Sequence, residues 1–281
     1  MFEVYTFAYE EKMNDIGGWS AKPLVVSFLD IDQGDATLIR APGGQTILID
    51  AGQSNSPILS EIGASLPFYK HHIDMIIATH PDADHIGGLP KVVERYSPEV
   101  LLESGVHANT YIDQSLQNIV SEKKIQVLRA RKGMTIKFGA KDLKHIQLTL
   151  QILFPDRNVD DWISKTNDAS IVARLSFGRT SFILTGDSPI DIEQHLAVTG
   201  ALGHVDILKV GHHGSRTSTS EEFVKALTPS FAVISVGKKN RYGHPHQEVL
   251  RVLEKNKVKV LRTDEQGRIT IESDGEKIIV D

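Results

Sequence analysis

The 281-residue chain contains no cysteine. That excludes disulfide staples and thiolate ligands, so any metal must be held by His, Asp, Glu or water. No stretch approaches the ~20 apolar residues needed to span a bilayer. The opening MFEVYTFAYEEKMNDIGG has neither a basic start nor a long apolar run, so no signal peptide is expected and the expected location is the cytoplasm. Excess positive charge is also missing. The formal net charge is -5, which offers nucleic acid no general attraction and leaves only a local basic groove for that role. No phosphate-binding glycine loop or dinucleotide fingerprint is present, since APGG lacks the required spacing. What is there is 40% hydrophobic and 24% charged, a composition suited to a globular protein with a large core. Residues 1–281 read as one domain, with 1–23 a peripheral N-terminal segment.

LVVSFLDID (24–32) reads as a strand, and DATLIRAPGGQTILIDAG as two strand-like runs around Pro42-Gly43-Gly44. A helix is expected over 58–70, although Gly63 and Pro67 oppose it. IDMIIATH (73–80) is a short apolar run ending in polar chemistry, as a buried strand does. GLPKVVERY predicts a helix, VLLES a strand and 111–122 a further helix. The stretch from Val127 to Pro155 is strand-rich, and SIVARLSFGRTSFILTGD (170–187) predicts a hairpin turning at Gly178. Helices over 189–200, 220–228 and 246–256 then alternate with the strands VDILKV and FAVISVG. VKVLRTD and GRITIES predict a closing hairpin around Glu265-Gln266-Gly267. No internal repeat is visible. Strand-rich blocks interrupted by helices suggest two packed sheets with helices outside.

Four polar clusters fall at the ends of apolar runs, where a rigid scaffold places chemistry: HPDADH, TGD, GHHGS and YGHPH. His80 and Asp82 are two apart, so an extended segment aims both to one side. Asp84 and His85 fall where the chain turns into a helix, and Gly87-Gly88 permit close backbone approach. One loop can thus serve two adjacent metals; the competing reading is a solvated acidic turn. TGD supplies Asp187, GHHGS supplies His212 and His213, and YGHPH supplies His244, with His246 beginning the next helix. His71 and His72 lack glycine or carboxylate framing and read as surface residues. His107, His145, His195 and His204 are assigned ordinary structural roles. With imidazole and carboxylate donors, zinc is the default and manganese or iron the rivals. Two ions bridged by water would supply a hydroxide nucleophile and clamp the leaving oxygen. Ser215 beside His213 is not read as a serine nucleophile, because adjacency in sequence is not triad geometry.

Taken in order, LDIDQGDATLI, TILIDAG, THPDADHIGG, SIVARLSFGRTSFILTGD, VDILKVGHHGSRTSTS, ISVGKKNRYGHP and VLRTDEQGRITI resemble the metallo-beta-lactamase superfamily. Within it the chain looks most similar to the metallo-hydrolase domain of the bacterial competence (DNA-internalisation) proteins. The matching stretches run from about residue 25 to 271. The resemblance implies an α/β fold of the αββα sandwich type, with a site at one edge built from loops of both halves. It implies that His80 and Asp82 bind a first metal and Asp84 and His85 a second. Asp187 would bridge them, and one of His212 and His213 would complete the second. Asp84, Asp187 and His244 would act at the reacting centre, with His244 polarising substrate or transferring a proton. Two departures from the family pattern stand out. Asp82 replaces the second histidine of His-x-His-x-Asp-His, and the third-motif histidine is missing, with Asn167 or Asp168 of TNDAS nearest. Oxygen donors there make the first site harder and weaker for zinc, which brings manganese closer as a rival while zinc stays the expected ion. Asp35 is expected behind the ligands, and Ser215, Lys239 and Tyr242 near the substrate. Asp50 is expected simply to close a turn. The channel segments of the competence proteins are absent, so DNA transport is not expected.

The expected function is therefore a metal-dependent hydrolase using a metal-bound hydroxide on a phosphodiester, either a nucleic acid or a nucleotide. One or two divalent ions, zinc or manganese, are implied, with no membrane and no obligate protein partner. Lys238, Lys239 and Arg241 adjoin His244 and can meet phosphates; Arg129, Arg131 and Lys132 read as a solvated loop. Hydrolysis of another ester, thioester or lactam remains a rival, as does a binding module with a degenerate site.

Overall fold

The central strands are apolar at consecutive positions, and because successive side chains point to opposite faces, each strand feeds two cores. Ile47 and Ile49 enter one core while Leu48, between them, enters another. The computed structural model describes residues 3–9, 22–140, 147–160, 162–200 and 202–281. His145 lies outside them.

The described residues form two eight-stranded sheets. In the first, the order is β16 (Ile278–Val280), β15 (Ile269–Ser273), β2 (Leu24–Phe28), β3 (Thr37–Arg40), β4 (Thr46–Ile49), β5 (Met75–Ala78), β6 (Val100–Glu103) and β7 (Gln126–Arg129). In the second it is β1 (Val4–Tyr9), β8 (Thr135–Ala140), β9 (Leu148–Phe154), β10 (Val172–Phe177), β11 (Thr180–Leu184), β12 (Ile207–Lys209), β13 (Phe231–Ile234) and β14 (Lys259–Arg262). Val26, Ile77, Phe138, Leu175 and Phe182 fill the space between the sheets. Leu48, Ile76 and Leu101 face outward and join residues of α1 (Ile58–Ser65), α3 (Leu89–Tyr96) and α4 (Tyr111–Glu122) in a second core. Ile183, Leu208 and Ala232 do the same with α5 (Ile190–Val198), α6 (Glu221–Leu227) and α7 (Gln247–Lys255). The result is the expected αββα sandwich.

One backbone plan occurs twice. Strands β2 to β4 and β8 to β11 pair antiparallel, whereas β4 to β7 and β11 to β14 pair parallel. Parallel neighbours require crossovers, which explains why the helices occupy these stretches. It also brings the loops after β4, β5, β11, β12 and β13 to one edge. No residue repeat betrays this symmetry.

Three sequence expectations change. The closing hairpin does not form, because β14 and β15 belong to different sheets. Helix α8 (Thr263–Gln266) turns the corner between them, tied to the second sheet by Thr263, whose hydroxyl accepts from Val236 N at 2.8 Å and donates to its carbonyl at 3.0 Å. Helix α1 stops at Ser65 rather than continuing to residue 70. Leu66 precedes Pro67, and a proline disfavours helical backbone in the residue before it. The N-terminal segment is not wholly peripheral, because Val4–Tyr9 adds an edge strand to the second sheet; residues 1–2 and 10–21 lie outside the described residues. Among the described residues no helix is long and apolar enough to cross a membrane.

Candidate metal centre

Close backbone approach brings the loops together. Gly34 has φ +132, and a Cβ there would sit 2.3 Å from the Asp84 carbonyl oxygen, so the turn carrying Asp35 presses on the HPDADH loop. A Cβ on Gly88 would sit 2.2 Å from the Ala51 carbonyl oxygen, which is how the loop carrying Asp50 packs beneath the same segment. The helix α2 (Ala83–Ile86) starts after Asp82, placing Asp84 and His85 in its single turn. His212 and His213 both adopt left-handed backbone, at φ 49 and 53. Non-glycine residues pay roughly 1–2 kcal/mol for that conformation, and such strain concentrates at functional sites.

Hydrogen bonds behind the cluster orient three histidines alike. A carboxylate only accepts, so His85 Nδ1 must donate to Asp50 Oδ2 at 2.7 Å. The Thr79 hydroxyl donates to the same carboxylate at 2.6 Å, leaving its oxygen to accept from His80 Nδ1 at 3.1 Å. His213 Nδ1 donates to the Ser235 carbonyl at 3.0 Å. Each imidazole therefore turns its Nε2 toward the cleft, the arrangement that metal-ligating histidines show.

Those Nε2 atoms, together with Asp187 Oδ1 and Asp35 Oδ1, are buried without a hydrogen-bond partner among the described residues. An unpaired buried polar atom costs about 1–3 kcal/mol, so five converging ones call for a shared partner. Three groupings place ligand atoms within 4.8 Å of one another: His80, His85 and Asp187; Asp84, His85 and His213; Asp35, Asp187 and His213. His85 Nε2 lies 3.1 Å from Asp187 Oδ1, and His213 Nε2 lies 3.3 Å from Asp84 Oδ2. Imidazole and carboxylate donors in this number fit one or two divalent cations.

The side chains of the cluster also set one another's protonation. Burial pushes His85 down, but Asp187 and Asp50 outweigh it and hold the imidazole well above its ordinary range. Asp187 is the mirror case: burial pushes it up, and the His85 and His213 charges pull it well below. Burial and the neighbouring His85 hold His80 low. Lys209, buried behind the cluster, donates to Asp35 Oδ2 at 2.8 Å and to the Val210 carbonyl at 2.8 Å.

A model of the metallo-beta-lactamase superfamily matches residues 29–238. The chain belongs to this superfamily. As a superfamily member it is 33% identical over 260 residues to ComE operon protein 3 of Bacillus subtilis, a match covering 87% of this chain and 32% of that protein. It is likewise 33% identical over 250 residues to Recombination protein 2 of Haemophilus influenzae, covering 88% of this chain and 28% of the relative. The chain thus spans about a third of the length of the curated relatives it matches. Among solved structures, Igni18, a metallo hydrolase from Ignicoccus hospitalis, shares the fold with a TM-score of 0.53 at 16% identity, covering 88% of this chain and 98% of that one.

Within this metallo-beta-lactamase scaffold, the residues singled out from sequence divide. His80, Asp84, His85, Asp187 and His213 stand in the groupings above, and Asp35 joins them rather than standing behind. Asp82 is on the rim, partly exposed, with Oδ2 3.8 Å from His80 Nε2. His212 is also on the rim, its Nε2 3.7 Å from Asp187 Oδ2 and its Nδ1 3.0 Å from the Thr217 hydroxyl. Asn167 and Asp168 sit in a short helical turn and join none of the groupings. Nearby Ser170 instead accepts from Asp187 N at 3.2 Å. The Ser215 hydroxyl bonds Thr217, and its backbone N donates to the His212 carbonyl at 2.8 Å; among the described residues its hydroxyl meets neither imidazole, so no serine–histidine catalytic pair is formed. His244 stacks beside His213 with centroids 6.3 Å apart, and Tyr242 stacks on His244 at 5.6 Å. His246 caps α7 as expected. His195 pairs with Asp156 at 2.6 Å and His204 contacts Thr228, both away from the cleft.

Sequence reasoning missed Asp50, Thr79 and Lys209. Asp50 does more than close a turn: it accepts from Thr79 N, the Thr79 hydroxyl and His85. The available signal was position, since LIDAG leaves β4 much as LTGD leaves β11.

Proposed function

We propose that the chain is a metal-dependent phosphodiesterase acting on a nucleic acid or nucleotide. The observation that carries the choice of phosphodiester is the loop leading to His244. Lys238, Lys239 and Arg241 are exposed there, and among the described residues none makes an ion pair. The other basic cluster is already engaged within the protein, with Arg129 and Arg131 on Asp160 at 3.0 and 3.2 Å and Lys132 3.8 Å from Asp156. On an acidic chain, an uncompensated basic loop beside the cleft suits phosphate.

His80, His85 and Asp187 would hold one divalent ion, and Asp84, His213 and Asp187 a second, zinc or manganese. Bound there, such ions polarise a phosphoryl group and acidify water. The chain's own residues supply the rest. Burial, with the charges of His213, His212 and His246, pushes His244 down to about 4. It is therefore neutral at neutral pH and able to accept or relay a proton near the leaving oxygen. Lys239 would meet a non-bridging phosphate oxygen, and Tyr242, exposed beside it, offers an aromatic face. Protein purified without chelator should contain zinc or manganese and hydrolyse bis(p-nitrophenyl) phosphate and oligonucleotides when supplied with either. A metal-loaded chain inert on both but active on a thioester or lactam would replace the reading. A chain that never retains metal would make it a binding module.

A further inference from the structure

The loop that carries His244 ends a row of three rings. Tyr242 and His244 lie with centroids 5.6 Å apart and planes 23° apart. His244 in turn stands 6.3 Å and 29° from His213, and 5.8 Å from His212. The row therefore runs from a candidate metal ligand out to Tyr242, which is 63% exposed. Among the described residues Tyr242 makes no other ring contact and its hydroxyl makes no hydrogen bond, so the face turned from His244 is free.

The outer ring is presented by backbone that is already ordered. Asn240 ties the loop at both ends: its Nδ2 donates to the Gly237 carbonyl at 3.0 Å and to the His244 carbonyl at 2.9 Å. Its Oδ1 accepts from His244 N at 2.9 Å. Tyr242 falls inside this closed loop, so a ligand meeting its ring does not have to order the chain first. Lys239 and Arg241 are exposed in the same loop and make no ion pair among the described residues. Free aromatic faces set among cations are how proteins hold unpaired nucleotides, the rings stacking bases while the cations follow the phosphates. The ring between Tyr242 and the ligand cluster is His244 itself, the residue placed at the leaving oxygen. A nucleoside departing past His244 thus brings its base to Tyr242.

We infer that the free face of Tyr242 stacks the unpaired base of the leaving nucleoside. The inference rests on the phosphodiester reading and gives it a direction, with the base read on the side that departs rather than the side that keeps the phosphate. The test uses the dinucleoside monophosphate of thymidine and its two analogues in which one base or the other is replaced by hydrogen. Hydrolysis leaves the phosphate on one nucleoside and a hydroxyl on the other, so the products name the leaving side. Stacking of one base on one side chain corresponds to ~5- to 150-fold. Losing the leaving-side base is expected to lower kcat/KM of the metal-loaded wild type by that factor, and losing the other base to matter far less. Tyr242→Ala should erase the difference, and Tyr242→Phe, which keeps the face, should preserve it. Each ratio is taken within one variant, so a general loss of turnover through His244 does not enter it. Equal or greater sensitivity to the other base, a difference that survives in Tyr242→Ala, or one lost in Tyr242→Phe overturns the stack and leaves the phosphodiesterase intact. So does a wild type that hydrolyses bis(p-nitrophenyl) phosphate and none of the dinucleosides. A metal-loaded wild type inert on all four overturns the phosphodiester reading and the stack with it.

Discussion

Asp50 and Asp187 hold corresponding places in the two halves of the sandwich, each leaving the strand at which antiparallel pairing gives way to parallel. Both are buried, yet their surroundings differ. Asp50 receives Thr79 N at 2.9 Å, the Thr79 hydroxyl at 2.6 Å and His85 Nδ1 at 2.7 Å. Asp187 Oδ1 has no hydrogen bond among the described residues and lies 3.1 Å from His85 Nε2, a nitrogen that Asp50 has aimed. A carboxylate has about four lone-pair sites, so three donors leave Asp50 little to offer a cation. Satisfied, it orients; unsatisfied, it is available to bind.

Replacing the two should therefore give different losses. Asp187→Ala is expected to abolish turnover and release bound metal while the circular dichroism spectrum stays as in the wild type; an active, metal-loaded variant would end the comparison. His244→Ala, on the rim, is expected to cost ~100-fold in turnover with metal content unchanged. Loss of one ion per chain would make His244 a ligand instead. Asp50→Asn should weaken metal binding ~10- to 100-fold without abolishing it, because its amide nitrogen cannot accept from His85 or Thr79 and both imidazoles lose their fixed tautomer. Metal titration reads this directly, and an affinity equal to wild type would mean that Asp50 only closes a turn.

A third buried carboxylate sharpens the rule. Glu193 accepts from Thr219 N and Ser220 N, both at 2.7 Å, yet burial pushes it up to about 7. The folded chain then keeps a proton that the unfolded chain releases near the ordinary 4.5, so stability falls as pH rises from there to about 7. The whole effect is at most about 3 kcal/mol. Melting temperatures followed across that window in chelator should fall for the wild type more than for Glu193→Gln, and parallel curves would refute the assignment. Smallest of all, Ser215→Ala should leave turnover near wild type, since its hydroxyl bonds only Thr217; a dead variant would point to a serine nucleophile.

Short continuous apolar runs such as TILI and MIIA made the sandwich legible from sequence, because a strand covered on both faces needs apolar side chains on each. The clusters HPDADH, TGD and GHHGS were legible for the related reason that polar groups abruptly end apolar runs. Asp50, Thr79 and Lys209 were not, since their roles lie in contacts between residues far apart: Asp50 and Thr79 are 29 positions apart, Asp35 and Lys209 174. The missing hairpin failed for the same cause. Glu265-Gln266-Gly267 would suit a hairpin or a corner equally, and only the distant partner of each flanking strand decides.

That distant partner also sets a timetable for synthesis. Ser27 on β2 pairs with Thr270 on β15, 243 positions later. At about 5–20 residues per second, a ribosome needs roughly 12 to 50 s to deliver the second after the first. Until then β2, paired only with β3, is an unprotected edge whose outward donors and acceptors are bare, the kind of surface that invites wrong pairing. A truncation before Ile269 would make that interval permanent, leaving the β2 edge open whatever occupies the cluster of histidines and aspartates.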